Sequence, residues 1–229
     1  MDPDSTVDDE LDGTTDTRPE LAEDFDAHLR AGAAIYNAGE FHAAHDAWES
    51  VWLRLESGPD RDLLNGLIQY TAAVYHADQR NWEGTTGLAR SGHEYLTGLG
   101  STHHAVALDP LREYLTALER DPERIERQPP TKIVVAGERV RLEALPFGAL
   151  AIAARVLTEE HEGDTTLIER AIEYGRADLE AGQATSPFVT LLVDILRSDG
   201  ITRDTARQRL SEHVRRRTTK ESDVKGLFE

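Results

Sequence analysis

The chain has no cysteine, only three lysines and no long apolar run, and each shortage excludes something. Without cysteine there are no disulfides, no thiolate catalysis, no iron–sulfur clusters and no Cys-ligated zinc. Apolar stretches are short and broken by charges, so no segment can span a bilayer. The opening MDPDSTVDDELDG is acidic where a secretory leader needs a basic and then an apolar stretch. A soluble cytoplasmic protein is therefore expected. Also missing are the P-loop, the dinucleotide-binding glycine pattern, HExxH and GxSxG, which removes the enzymes most easily read from sequence.

What is present is acid. Forty-three acidic residues face 25 basic ones, a net charge of −18 in 229 residues, and the bases are 22 arginines to three lysines. An acidic surface stays hydrated when salt shortens the range of charge, and scarce lysine removes long apolar stems that salt would drive together. The balance reads as adaptation to a salt-rich cytoplasm. It also argues against general nucleic-acid binding, which needs a positive field along the phosphates.

Residues 1–18 form an acidic tail, with seven acids and no base in the first 16, too poor in apolar groups to order. A helical bundle domain is expected over 19–127. Its second helix runs from about Glu40 to Leu55 with Phe41, Ala44, Trp48, Val51, Trp52 and Leu55 as the buried stripe. The third covers about Asp60 to Gln79, and the fourth is capped by Asn81. Gly84 and Gly87 in that fourth helix suggest close packing on a neighbour. Residues 128–145, opened by Pro129-Pro130, form a linker with a small β-hairpin. A C-terminal helical segment follows over 146–218 and a tail over 219–229. The fold class is thus all-α: an antiparallel helical bundle with a small β-hairpin and a C-terminal helical extension.

One cluster offers chemistry. At about 100° per residue, His42, His45 and Glu49 fall within a sector of about 60° on the shoulder of the second helix's stripe, near Trp52. His45 lies inside the apolar face, where an imidazole needs a partner. On the third helix Asn65, Gln69 and His76 share a face with room for another helix or a small ligand. Two readings stay open. The preferred one is a buried polar network of His45, Glu49, Gln69, His76, Trp52 and Asn81 that fixes helix register. The other is a divalent metal held by His45, Glu49 and His76, making a metal-binding protein or a metal-dependent hydrolase.

These residues also carry a resemblance. FHAAHDAWESVW, Phe41 to Trp52, resembles the F-x-x-A-H-E-x-x-E-x-x-W motif of the domain of unknown function family numbered 309. NGLIQYTAAVYHADQRNWEGTTGL, Asn65 to Leu88, is similar to that family's G-L-I-Q-x-A-A-A-x-x-H-x-x-x-x-N-x-x-G-A stretch. The resemblance marks Phe41, Ala44, His45, Glu49, Trp52, Gly66, Gln69, His76, Asn81 and Gly84. His42 lies outside the motif, Asp46 stands where the family has Glu, and Thr85 where it often has Ala. It implies a helical bundle and no reaction. The region after Pro130 resembles extensions of salt-loving archaeal members.

The last helix is locally basic, with nine bases and five acids from Arg197 to Lys225. Arg215, Arg216 and Arg217 are expected to complement acidic helices of this chain or of a second subunit rather than nucleic acid, since stacking aromatics are missing nearby. His103, His104 and His161 fall in loops, where an exposed histidine is the ordinary outcome. The leading functional expectation is a non-enzymatic structural or regulatory module that acts as a homo-oligomer or through a protein partner, with no membrane and no nucleic-acid role.

Overall fold

The computed structural model describes residues 17–225; the acidic segment 1–16 lies outside the described residues. Nine α-helices are present among them: α1 (Thr17–Ala38), α2 (Phe41–Trp52), α3 (Pro59–Asp78), α4 (Trp82–Thr97), α5 (Asp109–Arg120), α6 (Phe147–Glu160), α7 (Thr165–Glu180), α8 (Pro187–Arg197) and α9 (Gly200–Lys225). Local chemistry explains their starts. Asn81 caps α4 by accepting the Gly84 N–H at 3.1 Å, and Asp164 caps α7 by accepting that of Leu167 at 3.0 Å. Pro59, Pro110 and Pro187 stand in first turns, where a missing N–H costs nothing. α9 runs through 219–225, the first part of the expected tail.

α1 to α5 stack in sequence, each on the next, and α6 returns against α1 and α2. The core between them is built from Leu29, Ile35, Trp48, Leu63, Leu67, Tyr70, Leu96 and Leu115, all fully buried. Each large side chain of this kind contributes about 1.5–3 kcal/mol through burial. Glycines set how closely the helices approach. A Cβ on Gly32 of α1 would sit 2.2 Å from the Trp48 indole, so the ring lies directly on the α1 backbone. A Cβ on Gly66 of α3 would meet Leu96 of α4 at 2.4 Å. Gly84 also packs closely, but Gly87 faces open space, so its expected packing role is absent.

The expected hairpin is there but belongs to something larger. β3 (Val134–Val135) and β4 (Glu138–Arg139) turn at Ala136-Gly137 and join an earlier hairpin, β1 (Thr102–His103) and β2 (Val106–Ala107). Pairing of Val106 with Val135 makes one antiparallel sheet in the order β1-β2-β3-β4. The first hairpin escapes sequence reading because its strands are two residues long and its turn, His104-Ala105, has no glycine.

Past the sheet, α6 to α9 pack as the C-terminal extension, with Phe188, Leu192, Ile195 and Leu210 buried. Of the three consecutive arginines, Arg217 reaches inward. Its Nη1 lies 2.6 Å from the buried Asp178 of α7, which also accepts the Ser186 hydroxyl at 2.8 Å. Its guanidinium stands 5.1 Å from the Tyr174 ring centre. Among the described residues, Arg216 pairs within its own helix, with Glu212 at 3.7 Å.

Candidate functional site

The motif residues separate into three places. On α2, His45 Nδ1 lies 2.9 Å from Asp46 Oδ1, and one ligand atom from each of His45, Asp46 and Glu49 fits within a 4.8 Å group. The cluster is open to water: the His45 side chain is 36% exposed and that of Asp46 50%. His45 is therefore not inside the apolar face, which corrects the reading that required a buried partner. The buried residues of α2 are Ala43, Ala44, Ala47, Trp48 and Val51. That arc is centred about 90° from Phe41. Small alanines let α1 lie close, and the aromatic residues at the helix ends become its edges.

At the end of α2, Arg61 of α3 places its guanidinium 4.5 Å from the Trp52 ring centre and donates to the Trp52 carbonyl at 3.2 Å and to the Leu55 carbonyl. This pairing ties down the α2–α3 loop, and Arg61 carried no signal in the motif. The third place is the α3–α4 corner. Asn81 Nδ2 donates to His76 Nδ1 at 2.7 Å, its N–H donates to the His76 carbonyl at 2.8 Å, and its Oδ1 holds the Gly84 N–H. A Cβ on Gly84 would lie 2.7 Å from His76 Nδ1, so glycine makes room for the imidazole. The amide has the donor role here, which leaves the ring proton on Nε2. His76, Asn81 and Gly84 thus form a capping network of three motif positions.

Gln69 faces α4, its Cβ 3.2 Å from where a Cβ on Gly92 would stand. The space expected beside Gln69 and His76 is filled by α4. Among the described residues, three groups of three metal-capable side chains form: Asp60 with His103 and His104, His42 with Asp46 and Glu160, and His45 with Asp46 and Glu49. His76 is in none of them, so His45, Glu49 and His76 do not converge on one point. His42 shares Asp46 with the α2 group and lies 3.1 Å from Glu160 of α6, its ring centre 5.3 Å from that of Tyr75.

A concavity rich in arginine lies elsewhere. A cleft of about 650 Å³ opens where the end of α1, β4 and its following turn, the end of α6 and the α8–α9 junction meet. Arg139, Arg141, Arg197, Arg203, Arg207 and His161 line it, against Glu40, Glu143 and Asp199. Arg141 and Arg197 have carboxylate neighbours in Glu143 at 3.5 Å and Asp194 at 2.7 Å. Among the described residues, Arg139, Arg203 and Arg207 have no carboxylate within ion-pair distance. Arg139 donates to the Asn37 carbonyl at 3.0 Å and Arg203 to that of Ser198 at 2.8 Å. Lys132 also donates to the Asn37 carbonyl, at 3.1 Å. Burial and the Arg139 charge hold the Lys132 ammonium below the usual lysine range.

The comparison with protein families touches only part of this. Residues 29–88 match the family described as domain of unknown function (DUF309). No curated protein matches the chain. The DUF309 match runs from α1 into α4 and holds all the motif positions named above. It ends before the sheet, so the cleft draws Ala34, Asn37, Ala38 and Glu40 from the DUF309 stretch and its arginines from outside it. Sequence reading missed the cleft because its arginines are scattered from 139 to 207 and share no spacing.

Proposed function

We propose that the chain is a non-enzymatic helical module that binds a small polyanion, bearing phosphate or carboxylate groups, in the arginine-lined cleft. The observation that carries this is the contrast between site and surface. Five arginines and a histidine converge on one cleft, against three acids, in a chain of net charge −18. A concave, low-dielectric wall focuses the field of such a cluster. Guanidinium groups without a carboxylate partner present forks matched to phosphate and carboxylate oxygens. The cleft volume also falls in the range of small-molecule sites. A regulatory role follows if occupancy changes how the two ends of the bundle are held, since the cleft spans α1, the sheet and the α8–α9 junction.

Calorimetric titration of the full chain with inorganic phosphate, pyrophosphate and citrate at constant ionic strength tests the reading. Binding at millimolar affinity or tighter is expected, weakened at least tenfold by the double change Arg203→Gln and Arg207→Gln. Arg170→Gln, on the exposed face of α7, is expected to leave it unchanged. No heat with any of the three, or equal affinity in the double variant, removes the proposal. The same reading includes a salt-rich cytoplasm as the setting, supported by the acid excess and by 22 arginines to three lysines. A melting temperature that falls as KCl rises toward molar would exclude it.

A further inference from the structure

We propose that Asp60, His103 and His104 form a binding site for a divalent ion of the zinc class, distinct from the arginine cleft and from the DUF309 motif. The donor set is built from two elements far apart in sequence. Asp60 stands in the first turn of α3, while His103 ends β1 and His104 begins the turn to β2. Nε2 of His103 lies 2.8 Å from Asp60 Oδ1, and Nε2 of His104 lies 2.9 Å from the same oxygen. The two imidazoles meet nearly at right angles, with ring centres 4.9 Å apart, so they approach that oxygen from different directions. Around a tetrahedral zinc ion, donor atoms at 2.0–2.2 Å stand about 3.3 Å from one another. A withdrawal of Oδ1 by about half an ångström therefore opens the centre of this group to an ion.

The backbone gives the second argument. His104 and Ala105 are both left-handed, at φ 44° and 59°, which makes a primed two-residue turn. Such turns favour Asn-Gly, and the other hairpin of this sheet uses Ala136-Gly137 with glycine at the second position, φ 81°. A histidine followed by alanine is a strained occupant of that turn. What the strained turn achieves is to set two adjacent imidazoles on one carboxylate. The Phe25 ring of α1, 4.4 Å from the His104 ring centre, fixes the orientation of the second imidazole.

Two imidazole nitrogens and one carboxylate oxygen suit zinc, nickel or copper rather than magnesium or calcium. With the ion bound, each ring carries its proton on Nδ1 and turns the Nε2 lone pair to the metal. The side chains of Asp60, His103 and His104 keep 47%, 25% and 39% of their exposure, so a fourth position faces water. The ion would pin the start of α3 to the β1–β2 turn, and through Phe25 to α1.

Tag-free full chain, stripped with a chelator, is titrated with Zn²⁺ by calorimetry and by thermal melting. One zinc per chain with micromolar affinity or better is expected, with a rise in melting temperature. Asp60→Asn and His103→Ala are each expected to weaken binding at least a hundredfold. His45→Ala, in the exposed α2 cluster, is expected to leave it unchanged. Circular dichroism and the phosphate titration of the arginine cleft report that the variants remain folded. Absence of stoichiometric uptake by the parent overturns the proposal. So does unchanged affinity in correctly folded Asp60→Asn and His103→Ala, or loss of binding in His45→Ala.

Discussion

Asn37, at the last turn of α1, makes more long-range bonds than any motif residue. It is 3% exposed, and its Nδ2 donates to the carbonyls of Ile133 and Val140 at 2.8 and 3.0 Å, while its Oδ1 accepts the Ile133 N–H at 2.8 Å. Its own carbonyl takes Lys132 and Arg139. One amide thus fastens both flanks of the β3–β4 hairpin to the first helix. Each such bond contributes about 1 kcal/mol, and a buried group left unpaired costs about 1–3 kcal/mol. Asn37→Ala is expected to lose about 2–4 kcal/mol, read as a lower urea midpoint at unchanged slope. Asn37→Asp should cost at least as much, because a carboxylate would face two carbonyl oxygens without a hydrogen to offer. Nothing local in the sequence reveals these partners of Asn37, which lie about a hundred residues away.

At the scale of the helices, glycine placement decides spacing, and two positions separate packing from propensity. Alanine in a helix gains roughly 0.5–1 kcal/mol over glycine through backbone entropy. Gly87→Ala adds a methyl where nothing lies within 4 Å, so a stabilisation of about that size is expected. Gly32→Ala drives its methyl to 2.2 Å from Trp48, and overpacking of this kind costs about 1–3 kcal/mol, outweighing the propensity gain. Opposite shifts in melting temperature for the two variants check the argument. The same elements mark what sequence periodicity conveys. Helix positions and the Asn81 cap were legible because they are set by residues within a turn of one another. The rotation of α2 was not, because alanines and aromatics both look apolar, and only the close approach of α1, through Gly32, to Trp48 selects the alanine face. Misplacing that face put His45 in the core, when it stands at the edge in water.

Across the whole molecule, three buried tyrosines, one each from α1, α3 and α5, meet with ring centres 5.3 and 6.1 Å apart along the series Tyr36, Tyr70, Tyr114. Tyr70 donates to the Thr131 carbonyl at 2.7 Å, and Tyr36 lies 3.0 Å from that oxygen and 3.1 Å from the Tyr70 hydroxyl. Among the described residues, the buried Tyr114 hydroxyl has no hydrogen-bond partner. Burial raises all three phenols: Tyr36 and Tyr70 well above the ordinary range, and Tyr114 up to about 12. The folded chain keeps these protons where the unfolded chain, titrating near pH 10, releases them. Stability is therefore unaffected below about pH 10 and falls above it, by about 1.4 kcal/mol per pH unit for each tyrosine and about 4 for the three. Against a total of about 5–15 kcal/mol, the loss of about 8 kcal/mol over the two pH units above 10 is enough to unfold a chain in the lower half of that range. Tyrosinate absorbance from part of the six tyrosines should appear together with loss of helical circular dichroism. Complete ionisation before any loss of helix would contradict it. Neither this cluster nor the arginine cleft was legible in advance, since both gather residues from separate elements.

The clamp at Asn37 also bears on the order in which the molecule assembles. The α3–α4 pair joins neighbours along the chain across a three-residue loop, while the bonds of Asn37 to Ile133 and Val140 close loops of 96 and 103 residues. Closing a loop of that length costs chain entropy before any contact rewards it, so local pairs form first and the clamp late. A late contact contributes little to the folding transition state. Asn37→Ala is accordingly expected to leave the refolding rate nearly unchanged and to place almost all of its destabilisation in faster unfolding. In stopped-flow chevrons the folding arms of parent and variant would overlie while the unfolding arms separate. In native-state hydrogen exchange, the Ile133 amide, held by the Asn37 side chain, would report when the β3–β4 hairpin comes away from α1.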